Sequence, residues 1–142
     1  PCSRVEPPRP MRWLVRTYSA MPQATLRASG SPVDRMTEAL LYEDAFTTDV
    51  VVAELLMGAR DDRHAEKLRA MLNRCHFVPT RPLLDFERAA EVYRACRRGG
   101  FTPRSLSDCL VAAVAIDRHL PLLHHDEDFV GIARHTPLAL VG

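Results

Sequence analysis

Short apolar runs alternate along this chain with longer stretches whose apolar positions recur at helical spacing. Arg12 to Thr17, Ala45 to Thr47, Cys75 to Val78, Leu120 to His124 and Pro137 to Val141 read as strands. Ser31-Pro32 starts a helix through about Tyr42, with proline near the first turn, where its missing N–H costs nothing. Thr48 can cap a helix from Asp49 to about Ala59, ended near Gly58. Asp61 or Asp62 caps the next helix, with Ala65, Leu68, Met71 and Leu72 on one face. Leu83 to Arg98 forms a helix stopped by Gly99-Gly100. Ser105 caps a helix to about Arg118, with Asp108 at the third helical position to complete a capping box. Asp126 to Arg134 forms a short helix. Strands alternating with amphipathic helices predict an α/β fold whose central parallel sheet is covered on both faces.

Composition narrows the class. At 142 residues, 46% hydrophobic and 26% charged, the chain suits one soluble globular domain. Pro1 to Pro10 hold four prolines and two arginines and read as a disordered leader, so the domain is expected over residues 11–142, with Met11 as a natural start. No apolar run approaches the roughly 20 residues needed to span a bilayer, and no secretory signal is visible. A formal net charge of +1 says little about partners. Lys67 is the only lysine, and the bias to arginine is compatible with phosphate contact. Cys2, Cys75, Cys96 and Cys109 lack zinc-ligand spacing; Cys96 and Cys109 read as small buried hydrophobes, which suits a reducing cytosol.

Acids in apolar settings carry the candidate chemistry. Asp108 opens an almost wholly apolar helix, Asp126, Glu127 and Asp128 follow an apolar strand, and Glu54 interrupts Val50 to Leu56. In a parallel sheet functional groups gather beyond the carboxyl ends of the strands, so one edge could collect Glu54, Asp108, Asp126 and Asp128. Clustered carboxylates repel one another unless a cation joins them, and hard cations such as Mg²⁺ or Mn²⁺ take carboxylate oxygens. Phosphodiester cleavage uses such a metal to activate water and neutralise developing charge. Each acid also has a plain structural reading: Asp108 in a capping box, Asp126 as an N-cap, Asp128 and Glu127 facing the helix dipole, Glu54 solvated. Arg94, Arg97, Arg98 and Arg104 flank the loop before Asp108, as a solvated helix end or a phosphate-contacting patch. The six histidines form no motif, His124 and His125 reading as packing or solvated residues, and Trp13 reads as packing.

Four segments, taken in order, resemble the PIN-domain ribonucleases, specifically the VapC toxins of bacterial toxin–antitoxin pairs. They are Val51 to Arg60, Tyr93 to Gly100, Thr102 to Ala113 and His124 to Phe129, within a likeness running from about Thr47 to Leu140. The resemblance matches Glu54, Asp108 and Asp126 to the family's metal-site acids and Asp128 to a further acid nearby. It implies a three-layer α/β/α fold, Mg²⁺ or Mn²⁺, cytoplasmic endoribonuclease activity on RNA, a homodimer and a VapB-type antitoxin. Arg97, Arg98 and Arg104 are the candidate RNA contacts. One departure stands out: Arg16, in Leu14-Val15-Arg16-Thr17-Tyr18-Ser19, occupies the place of the family's first metal-site Asp, and likeness resumes near Leu26. A sequence error, a mutation selected to silence a toxic gene and a natural loss are not separable from sequence. Since family antitoxins are thought to insert an arginine into this acidic pocket, Arg16 is expected to weaken metal binding as an internal plug. Two rival readings remain: a catalytically weak module that still binds its antitoxin, and a metal-dependent hydrolase of a small phosphorylated substrate.

Overall fold

The computed structural model of this protein describes residues 13–15, 45–124 and 126–141. The leader, the helix expected over Ser31 to Tyr42, Arg16 and His125 lie outside them. Five strands are described: β1 (Trp13–Val15), β2 (Ala45–Thr47), β3 (His76–Phe77), β4 (Leu122–Leu123) and β5 (Leu140–Val141). They form one sheet in the order β3-β2-β1-β4-β5, and every pairing is parallel. Leu14 sits between Phe46 on one side and Leu122 on the other. The parallel α/β architecture expected from the alternation of strands and helices is therefore present.

β2 has the expected bounds, whereas β3, β4 and β5 are shorter than the apolar runs that announce them, and the hydrogen bonds explain why. The Leu120 N–H donates back to the Ala115 carbonyl and closes the preceding helix, while Pro121 has no N–H to give a ladder. The Cys75 N–H likewise donates to Leu72 at a helix end. Pro137 removes a donor ahead of β5.

The helices are α1 (Asp49–Met57), α2 (Asp62–Leu72), α3 (Leu84–Arg98), α4 (Leu106–Asp117) and α5 (Glu127–Ala133). α4 is buried from Asp108 through Ala115, as a helix apolar on all sides must be. α3 lays Ala89, Val92 and Cys96 into the same core. Phe129 and Ile132 of α5 complete it, each fully buried and each contributing about 1.5–3 kcal/mol by area alone.

Caps hold most of the boundaries. Asp61 caps α2 by accepting from the His64 N–H at 2.7 Å, which selects it over Asp62. α3 ends in a Schellman motif: Phe101 N–H donates to Cys96 at 2.9 Å and Gly100 N–H to Arg97 at 3.1 Å, with Gly100 at φ +84°. Thr48 occupies the N-cap position of α1 but does not cap with its side chain. Its hydroxyl instead donates to the Asp49 carboxylate at 2.9 Å, and Asp49 in turn accepts from Thr80. Thr48 thus ties the helix start to the loop after β3.

Candidate active site

The strand order places a topological switch point between β1 and β4, where connections leave toward opposite sides of the sheet. The acids expected to work together lie on three elements, α1, α4 and the turn into α5. Immediately after β4 the chain turns through His124 to Asp126, the N-cap of α5. Asp126 Oδ1 accepts from the Asp128 N–H at 3.0 Å, so the two carboxylates are fixed by one turn. His124 Nδ1 lies 3.0 Å from the Asp126 carbonyl and 3.3 Å from its N–H, and its ring packs against Phe129. His124 therefore shapes the turn that presents Asp126, a part beyond the packing or solvated role read from sequence.

Asp108 enters from α4. Ser105 accepts from the Asp108 N–H at 3.1 Å, and the Asp108 side chain is almost wholly buried. Half of the expected capping box is thus in place. Glu54 lies in the middle of α1, which packs on α4, and it is half-buried rather than solvated. Asp128 is also buried, whereas Asp126 is about two-fifths exposed. Glu127, read from sequence as a dipole-complementing residue, is exposed.

Arg104 changes the picture most. Its Nε donates to Asp128 Oδ2 at 2.7 Å, and its Nη2 lies 3.5 Å from Asp126 Oδ1. The hydrogen bond to Asp128, followed by the charge of Asp128, holds the guanidinium above its ordinary pKa. Arg104, a candidate phosphate contact from the sequence, bridges two of the candidate ligands here. Arg97, whose Nη1 is 3.5 Å from the Thr102 hydroxyl, and Arg98 are exposed at the end of α3.

The donor chemistry suits a hard divalent cation, because every candidate ligand is a carboxylate. Among the described residues, no three His, Cys, Asp or Glu side chains converge closely enough to hold a metal. The structure assembles the Asp126–Asp128 pair, with Asp108 and Glu54 on neighbouring helices. Burial, and then the nearby Cys96, push the Cys109 thiol up to about 11, so Cys109 stays a protonated thiol at neutral pH.

A loop lock positions these groups and escaped the sequence reading. A methyl group on Gly131 would stand 2.3 Å from the Phe101 ring, and one on Gly99 would stand 2.1 Å from His135. Phe101 and His135 stack with ring centres 6.3 Å apart. The loop carrying Arg104 and Ser105 is thereby wedged onto α5. A glycine inside an otherwise good helix was the one available signal, since such a residue usually marks close packing.

Comparison with known proteins completes the description. The PIN domain family model matches residues 26–135, a segment that starts beyond Arg16. The VapC ribonuclease Mb1587 of Mycobacterium bovis is 39% identical over 115 residues, covering 79% of this chain and 86% of the relative. Ribonuclease VapC11 of Mycobacterium tuberculosis matches with the same identity and coverage. The chain belongs to the PIN-domain family, among its VapC-like members.

Proposed function

From that membership we propose that this chain is the toxin of a type II toxin–antitoxin pair, an endoribonuclease that cleaves RNA phosphodiesters with a divalent cation, Mg²⁺ or Mn²⁺. The observation that carries the reading is the Asp126–Asp128 pair beyond β4, together with the buried Asp108 of α4, in a chain 39% identical to named VapC ribonucleases. Glu54, Asp108, Asp126 and Asp128 are the residues that would hold the cation. When bound, it supplies an activated water and charge neutralisation on the phosphate. The chain's own contribution is placement. The α5 cap and His124 orient Asp126, and the Ser105 cap fixes the start of α4 beneath Asp108. Arg97 and Arg98 would meet RNA phosphates arriving at that edge.

One observation favours a second reading, a catalytically weak module that still binds its antitoxin. Arg16 stands where the family has a metal-site Asp, and it lies outside the described residues. Purified protein given RNA with Mg²⁺, Mn²⁺ or a chelator separates the two. Cleavage that needs the metal supports the nuclease. RNA left intact by a folded protein that still captures the antitoxin supports the module.

The partners follow from the same reading: RNA as substrate, a VapB-type antitoxin as inhibitor, a homodimer, and a place in the bacterial cytoplasm away from membranes. Exposed Met57, Phe77, Leu83 and Phe86 give the surface apolar area that such assembly would cover. Among the described residues no helix is long and apolar enough to cross a membrane. Sedimentation at micromolar concentration should give a dimer; a strictly monomeric species would count against it.

A further inference from the structure

We infer that Arg104 competes with the divalent cation for Asp126 and Asp128, bridging the two carboxylates in the cation-free protein and leaving them for an RNA phosphate when the cation enters. The inference rests on the metal-dependent reading above. Four observations carry it. The guanidinium reaches both acids, at 2.7 Å and 3.5 Å. No third metal-ligating side chain among the described residues joins that pair while Arg104 holds it. The Arg104 side chain is 73% exposed whereas that of Asp128 is 11% exposed, so the cation of the bridge lies on the solvent side of the acids. Its backbone is pinned: Pro103 is buried, Ser105 is an N-cap, and Phe101 is wedged against Gly131.

The physical logic is that of counter-ion exchange. Two carboxylates held by one turn repel each other unless a positive charge joins them. Arg104 supplies one charge and a directional hydrogen bond, which offsets that repulsion and holds the turn in place. A divalent cation supplies two charges and binds several oxygens, so the two compete for the same pair of carboxylates. The long, exposed side chain can leave without backbone movement. A guanidinium released at that position is suited to bidentate contact with a phosphate. Arg104 is thus a positioning residue for the acids before metal entry and an RNA contact afterwards.

Calorimetric titration of Mn²⁺ into the parent and Arg104→Met proteins, without RNA, tests this directly. Loss of the competitor should tighten Mn²⁺ binding by roughly tenfold, the scale of one charge-assisted hydrogen bond. In chelator the variant should melt below the parent, and Mn²⁺ should raise its melting temperature more than the parent's. RNA affinity in Mn²⁺ should fall for Arg104→Met and recover in part for Arg104→Lys, which keeps the charge but not the fork. If Arg104→Met instead fails to fold, Arg104→Lys carries the titration: weaker bridging should still tighten Mn²⁺ binding. Unchanged or weaker Mn²⁺ binding in a folded variant overturns the inference, even if the parent cleaves RNA. Tighter Mn²⁺ binding without cleavage by either protein keeps the inference and removes the nuclease reading. No Mn²⁺ binding by either protein removes both.

Discussion

Asp85 is fully buried, yet it carries charge. It accepts from the Arg81 backbone N–H at 2.6 Å and from Arg81 Nη2 at 2.7 Å, while the same Nη2 reaches Asp117 at 2.5 Å. Burial pushes the Asp85 carboxyl up, but the hydrogen bonds and charge of Arg81 together outweigh it and hold the pKa below the usual carboxylate value. Asp117 follows the same pattern, with Arg81, Arg88 and Arg118 around it. The sign follows from linkage. A carboxylate whose folded pKa is depressed stabilises the fold in full above its unfolded value of about 3.9, and that contribution is lost as pH falls through the folded value. Asp85→Asn should therefore cost about 2 kcal/mol at pH 7, discounted because Arg81 is itself partly exposed. The gap between parent and variant should close as pH drops below about 4. Urea unfolding at several pH values checks this; equal stability at every pH would contradict it.

Elements meet where small residues permit. Gly131 lies inside α5, where alanine would normally gain up to about 1 kcal/mol of helix propensity. Its missing side chain makes room for Phe101, and a methyl group there would overlap the ring. Overpacking of this kind costs about 1–3 kcal/mol, so Gly131→Ala should lower the melting temperature despite its better propensity. A rise in melting temperature would mean that the loop yields freely. This wedge shows what the sequence hid. Helix ends were legible, because Asp61, Ser105, Asp126 and Gly100 act through local chemistry. Strand lengths were not, since Pro121 and the back-bond from Leu120 shorten an apolar run without altering its pattern. The acids stood out in the sequence because carboxylates in apolar settings need a reason. Their bridging by Arg104 was not, because a contact across 22 or 24 residues leaves no spacing signal. The reach of Arg81 to Asp117, across 36 residues, was missed for the same reason.

Across the whole molecule, α4 links two charged regions. Its first turn carries the buried Asp108, and its last residue, Asp117, is held by arginines. The Arg81–Asp85–Asp117 clasp anchors α4 to the start of α3, and the Schellman turn with the Phe101 wedge fixes the other end of the pair. Asp126 and Asp128 stand together beyond β4, while Glu54 and Asp108 lie on α1 and α4, helices that pack on one another. The central claim is that these acids form a metal-dependent ribonuclease site. It is tested most directly by comparing RNA cleavage in Mg²⁺ or Mn²⁺ by the parent and by Asp108→Asn, with a chelator control. The substitution leaves the 108 N–H free to bond Ser105, so the variant should fold and melt like the parent. Its cleavage should fall by more than the roughly 10–100-fold that loss of an outer metal partner costs. Cleavage at the parent rate by a folded Asp108→Asn protein, or a parent indifferent to chelator, would contradict the account.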